Sequence, residues 1–237
     1  MKESTPPFTP RVRAPGEGAV IAIDGPAASG KSSTAHWVAE RLGFRHIDSG
    51  ALYRAATAAA LRREARGRWP EEFVLASVTD VRLLPKDMSF VATIGSDSTD
   101  AEIRDAAVTQ HVSAVAKMPR VREWVNDVVR QAARGYDVVV DGRDIGTVVF
   151  PNADLKVFLV ADPWERARRR LTQRFGRGPS DDEIAEETER LVQRDARDAT
   201  QTVQASDAVL IDTTYLTQEE QVERIVTLAR VALKRGG

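Results

Sequence analysis

Eight residues limit what this chain can fold into more than any others: Gly25-Pro26-Ala27-Ala28-Ser29-Gly30-Lys31-Ser32. They follow an apolar run at 19–23 and precede a helix-compatible stretch from Ser33 to residue 42. Strand, glycine-bounded loop and helix start, in that order, are the context in which G-x-x-x-x-G-K-[ST] reads as a phosphate-binding loop. The glycines let the backbone close round a phosphate with its N–H groups turned inward. The helix N-terminus adds partial positive charge, Lys31 can reach the β- and γ-phosphates of ATP, and the Ser32 hydroxyl can ligate Mg2+. The competing reading is a glycine-rich turn that only caps a helix, and the flanking strand and helix weigh against it.

The rest of the chain fits the alternation such a loop requires. Further short apolar runs at 44–47, 137–140, 155–160 and 208–211 alternate with stretches of helical periodicity at 51–66, from about 163, at 181–198 and at 218–234. This predicts an α/β fold, with a five-stranded parallel sheet flanked by helices. Between about 76 and 129 the alternation breaks. Two β-rich runs (81–84 and 88–94), separated by Pro85-Lys86-Asp87, read as an antiparallel pair. Two helices follow at 101–116 and 120–134, parted at Pro119. The expected organisation is a core of 19–75 and 130–237, a small α+β insert at 76–129 and a short arginine-rich lid near 171–182.

Composition excludes several classes. A formal net charge of −1 gives no reason to expect a nucleic-acid polymer or an anionic membrane as partner. There is no cysteine, hence no disulfide framework, thiolate zinc site or cysteine nucleophile. No apolar run approaches the roughly 20 residues of a membrane span. Residues 1–18 hold four prolines and no apolar segment, so they read as a disordered tail rather than a signal peptide. The expectation is a cytoplasmic protein. Of 34 basic residues only six are lysine. Arginine's planar fork suits phosphate, although genome composition would produce the same skew.

Several residues could carry phosphate chemistry. Asp141 ends the apolar run Val138-Val139-Val140, where a carboxylate could hold Mg2+ or cap the next segment. Arg143 and Asp144 follow on the same loop, beyond the carboxyl edge of the sheet where α/β ligands bind. Asp48-Ser49-Gly50 occupies the same edge, and Arg54 lies about one helical turn further on. Arg166, Arg169 and Arg170 share a helix side, with Arg168, Arg174 and Arg177 nearby, either as a solvated face or as an arm closing over ATP. Arg194, Arg197 and Asp198 continue on the later helix. The three histidines (36, 46 and 111) are scattered and suggest neither a metal site nor a base. No Asn-Lys-x-Asp guanine-reading motif is present, which argues against a GTPase.

With these residues in view, the chain resembles the bacterial cytidylate kinases of the nucleoside monophosphate kinase family. The resemblance rests on Ile23-Asp24-Gly25-Pro26 running into the phosphate loop, Asp48-Ser49-Gly50-Ala51-Leu52-Tyr53-Arg54, Glu102-Ile103-Arg104, Pro119-Arg120-Val121-Arg122, Arg194-Asp195-Ala196-Arg197-Asp198 and, most specifically, the stretch from Asp141 to Pro151. It implies transfer of phosphate from ATP to CMP or dCMP with Mg2+, in a monomer. It implies that Gly25 to Ser33 hold the ATP phosphates and that Ser32 and Asp141 hold the metal. Lys31, Arg143, Arg166 and Arg170 would act on the transferring group. Ser49, Arg54 and Arg143 would take the acceptor, Ser113 and Arg122 would read cytosine, Asp144 and Arg194 would organise that site, and Asp198 would accept the ribose hydroxyls. Members of the family such as the enterobacterial type carry an arginine three residues beyond the Asp198 equivalent; here Gln201 stands there, and a glutamine amide can also bond a base edge. The rival readings are a P-loop kinase of another small acceptor (UMP, AMP, shikimate or pantothenate) and a non-catalytic ATP switch.

Overall fold

The computed structural model describes residues 17–98 and 100–235, so most of the expected proline-rich tail lies outside the described residues. The alternation begins with β1 (Val20–Asp24), α1 (Lys31–Leu42), β2 (Arg45–Asp48) and α2 (Ser49–Arg63). It resumes with β6 (Val138–Gly142), β7 (Leu155–Val160), α7 (Pro163–Phe175), α8 (Asp181–Asp198), β8 (Val209–Asp212) and α9 (Gln218–Arg235). Between these lie α3 (Glu71–Ser77), β3 (Val81–Lys86), β4 (Ser89–Ile94), β5 (Asp97–Ser98), α4 (Asp100–Ile103), α5 (Ala106–Val115) and α6 (Pro119–Ala133).

Strands β2, β6, β1, β7 and β8 lie side by side and all parallel, the five-stranded core expected from the apolar runs. Their continuous hydrophobicity follows from burial on both faces. One core packs the alanine-rich face of α2 with α3, α5 and α6; the other packs α1 and α9 on the opposite face. A smaller cluster, Ala27, Ala167, Leu171, Ile184 and Leu191, seats α7 and α8 on the phosphate loop.

The sheet does not stop at five. β3 and β4 form the expected antiparallel pair, but β4 also pairs in parallel with β2, and β5 adds to β4, giving eight strands in one sheet. The β2–β4 seam is narrow: His46 stands opposite Ser89, and the His46 N–H donates to the Met88 carbonyl at 2.9 Å. Hydrophobic runs identify strands but not their partners, so this join was not legible in advance. The helix expected over 101–116 is in fact two, because the Asp105 side chain accepts the Ala107 N–H at 2.8 Å and starts a new helix there.

Register brings the chemistry together. Asp141 stands opposite Ile23 on one side and Asp48 on the other, and Asp24 stands opposite Gly142. Three carboxylates therefore emerge at one edge of the sheet. Gly142 is required where it is, since a Cβ there would lie 2.6 Å from the Ser49 hydroxyl and 2.7 Å from Ile145. The chain then makes a single π turn over Ile145–Val149, with the Phe150 N–H donating to the Ile145 carbonyl at 2.7 Å.

Candidate active site

The phosphate loop begins at Gly25, directly after β1, and ends in α1. Gly30 caps that helix at φ 85°, a left-handed conformation that favours glycine. The Lys31 ammonium curls back to donate to the Pro26 carbonyl at 3.1 Å. The Ser32 hydroxyl points the other way and donates to Asp141 Oδ2 at 2.6 Å. Ala27, Ala28, Lys31 and Ser32 line one cavity; Ala28, Gly30, Lys31, Ser32 and Ser33 line a second cleft. Gly25, Pro26 and Ser29 line neither, and among the described residues the buried Ser29 hydroxyl has no hydrogen-bond partner.

All nine expected acceptor residues converge on the first cavity: Ser49, Arg54, Ser113, Arg122, Arg143, Asp144, Arg194, Asp198 and Gln201. They come from α2, α5, α6, the loop after β6, α8 and the residues just beyond α8. Ser49 opens α2 and donates to the Asp141 carbonyl at 2.8 Å. Arg54, further along α2, donates to the Ile103 carbonyl and the Thr109 hydroxyl. Arg122 on α6 pairs with Asp144 and also donates to the Ala116 carbonyl and, at 3.4 Å, to Gln201 Oε1. Arg143 bridges the Gly25 carbonyl at 2.7 Å and Asp198 at 3.1 Å, so it ties the phosphate loop to α8.

The cavity carries unneutralised positive charge. Burial, followed by the nearby Arg143 charge, pulls Arg194 down to about 10. Burial, again followed by Arg143, draws Lys31 from 10.5 to about 7, with Asp141 and Asp48 opposing the shift. Cations crowded until their own charge is disfavoured make a strong site for a multiply charged phosphate. On the acidic side, burial raises Asp48 with Asp141 adding to it, and burial raises Asp144 against the pull of Arg122.

Asp24 belongs to the motif that runs into the phosphate loop, but its work was not legible in the sequence. It is 3 % exposed, and its two oxygens accept the Ile145 and Gly146 N–H groups at 2.8 Å each. It thereby anchors the loop that carries Arg143 and Asp144 to the strand that carries the phosphate loop. Burial raises its pKa from 3.8 to about 6, although both backbone bonds oppose the shift. Between those two values the folded chain holds the extra proton, so the Asp24 contribution to stability falls as pH rises from 4 towards 7. Asp24→Asn removes that slope. We expect the difference in unfolding free energy to move in favour of the variant by up to about 3 kcal/mol over this range. Parallel pH profiles in urea denaturation would refute the assignment.

The arginines of α7 divide. Arg170 lines both cavities and pairs with Glu187 at 2.8 Å. Arg168 and Arg169 line the second cleft, both paired with Glu165, and Arg169 also donates to the Thr213 and Thr214 carbonyls. Arg166, expected to act on the transferring group, stands apart from Arg168, Arg169 and Arg170. It is 4 % exposed, lines neither cavity, and donates to the Ala27 carbonyl at 2.8 Å and Asp195 at 2.6 Å. Asp195 in turn accepts the Ala27 N–H at 3.2 Å. Helical spacing grouped Arg166 with Arg169 and Arg170, but one turn nearer the start of α7 it lies beneath the phosphate loop rather than over it.

Two further residues were missed. Arg104 lines both cavities from the insert, and among the described residues its guanidinium makes no hydrogen bond or ion pair. His46 Nε2 donates to Asp141 Oδ1 at 2.7 Å. Burial alone would lower the imidazole, yet its hydrogen bond to Asp141 and that carboxylate's charge hold it above its ordinary value. Ser32 and Asp141 offer two hard oxygen donors side by side. Among the described residues no cluster of three or more His, Asp or Glu could enclose a metal by itself. That fits a cation such as Mg2+, which keeps waters and takes its remaining ligands from substrate phosphates.

The family model for cytidylate kinase matches residues 21–231. A cytidylate kinase of Geobacillus kaustophilus is 46% identical over 88% of this chain and 95% of its own length. One of Limosilactobacillus fermentum is 41% identical over 92% of this chain and 99% of its own. Among solved structures, an uncharacterized protein of Eubacterium ventriosum superposes with a TM-score of 0.51 at 12% identity, covering 90% of this chain and 98% of that one. This last likeness concerns the fold alone. Among the described residues no helix is long and apolar enough to cross a membrane.

Proposed function

The chain belongs to the cytidylate kinase family, and from that premise we propose that it transfers the γ-phosphoryl group of ATP to CMP and dCMP, in line, within a closed two-nucleotide site. The observation that carries the reading is the shared wall. Lys31 and Ser32 line both the acceptor cavity and the second cleft, so a phosphoryl on the loop faces both. An oxygen of the acceptor phosphate attacks the γ-phosphorus, the bond to the β-phosphate oxygen breaks, and ADP leaves with the electron pair. The attacking oxygen is already ionised, so no general base is needed. Catalysis then rests on alignment, charge neutralisation and exclusion of water.

The residues divide that work. Loop N–H groups and Lys31 would hold the ATP phosphates, and Ser32 with Asp141 would hold Mg2+, which neutralises charge on the β- and γ-oxygens when bound. Arg54 and Arg143 would grip the CMP phosphate, and Arg170 would close from α7. The insert of 76–129 would supply Ser113 and Arg122 to the base, Asp144 and Arg194 would steady them, and Asp198 would take the ribose hydroxyls.

A coupled ADP-release assay with Mg-ATP against CMP, dCMP, UMP and AMP tests the reading. Rapid turnover of CMP and dCMP is expected; equal turnover of UMP would make this a broader pyrimidine kinase, and none with any acceptor would overturn it. Gln201 bears on that choice through its contact with Arg122. Loss of one base-directed hydrogen bond is worth roughly 1–1.5 kcal/mol. Gln201→Leu should therefore lower kcat/KM for CMP about tenfold and for UMP by less. Equal losses for both bases would remove Gln201 from base selection.

A further inference from the structure

We propose that His46 is a positioning residue for the metal site, locking the Asp141 carboxylate in the orientation that turns one oxygen towards Ser32 and Mg2+. The inference rests on the proposed function, in which Ser32 and Asp141 hold the metal, and goes beyond it by assigning work to a residue outside the phosphate loop and the acceptor set.

The geometry is specific. β2 and β6 are parallel neighbours, with His46 opposite Val139 and Asp48 opposite Asp141. On one sheet face this makes His46 and Asp141 diagonal neighbours, a separation that only a long side chain spans. The imidazole spans it at 2.7 Å to Oδ1, while the Ser32 hydroxyl takes Oδ2 at 2.6 Å. Both oxygens are thus engaged, and rotation of the carboxylate would break both bonds. Asp141 is 1 % exposed, so losing a donor would leave a buried carboxylate oxygen short of a hydrogen bond. The ring is itself held. Its backbone is pinned at the β2–β4 seam, and the His36 ring packs edge-on with centroids 5.8 Å apart.

Satisfying a buried carboxylate would be reason enough for a donor in a protein core. What argues for more is the sparse donor set. Mg2+ demands near-octahedral geometry at short distances, and the chain offers it two oxygens. With so few ligands, the orientation of each matters, and partners that orient a ligating group commonly govern affinity tenfold to a hundredfold.

The experiment is calorimetric titration of ATP into the acceptor-free enzyme, with Mg2+ and with chelator, comparing wild type, His46→Phe and His46→Gln. The glutamine amide nitrogen stands as many bonds from the backbone as Nε2 and can donate to Oδ1. We expect His46→Phe to bind metal-free ATP as wild type does, but to lose tenfold or more of the affinity gained with Mg2+. His46→Gln should recover most of that gain. Should the phenylalanine variant fail to fold, His46→Asn, polar but too short to reach Oδ1, takes its place. An undiminished Mg2+ gain in the loss variant overturns the proposal, as does an equal loss with and without metal, which would mark a purely structural role. If wild type itself gains nothing from Mg2+, the metal assignment to Ser32 and Asp141 fails and the proposal with it. The ADP-release assay judges the kinase reading independently.

Discussion

Replacing Lys31 with alanine is expected to lower kcat by about a thousandfold while leaving the fold as stable as before or more so. Removal of one preorganised group facing the developing charge typically costs two to three powers of ten. Stability should move the other way. The Lys31 ammonium has one carbonyl partner, that of Pro26, and burial together with Arg143 draws its pKa from 10.5 to about 7. The unfolded chain therefore binds the proton more tightly than the folded one. The penalty is full below about pH 7 and fades as pH rises towards 10.5. At neutral pH alanine removes a group that opposes folding. Thermal melts and ADP-release rates on the same preparation check both halves. A Tm several degrees below wild type, or retention of a tenth of the rate, would contradict the account.

Arg143→Ala should be the next most damaging change, with kcat lower by a factor of about a hundred to a thousand. Its guanidinium connects the Gly25 carbonyl to Asp198 while lining the first cavity, so one side chain ties the phosphate loop to α8, and on the proposed function it would align donor with acceptor. Alanine would not leave Asp198 alone, because Arg194 stands 3.6 Å away. The cost in stability should accordingly be modest, on the order of 1 kcal/mol. Arg143→Lys keeps the charge but lacks the planar fork needed for both partners, and should recover only part of the rate. An alanine variant working at full rate would remove Arg143 from the reaction.

Much of this was legible in the sequence, for identifiable reasons. The phosphate loop is a local backbone device, so its glycines, Lys31 and Ser32 declare it without reference to the rest of the chain. The nine residues expected to take the acceptor stand in motifs, and all nine line one cavity. What was hidden depends on register. His46 and Asp141 lie 95 residues apart and meet only because β2 and β6 are neighbours. Asp24 meets Ile145 and Gly146 because a π turn directs two successive N–H groups at its carboxylate. The burial of Arg166 beneath the phosphate loop was hidden for a related reason. Periodicity tells which residues share a helix side, but not what that side is laid against.

The β2–β4 seam has a consequence for modularity. The insert looks like a cassette in the sequence, yet its hairpin occupies the edge of the central sheet beside β2. Transplanting 76–129 from a relative with another acceptor would also replace the strand that covers that edge. A poor match would leave β2 with exposed, unpaired N–H and C=O groups, a template for self-association. The graft that respects the hydrogen bonding is smaller: keep β3, β4 and β5 with the host, and exchange only the helical part from Asp100 onwards. Respecifying the acceptor would then be a matter of helices laid on a sheet that stays the host's own.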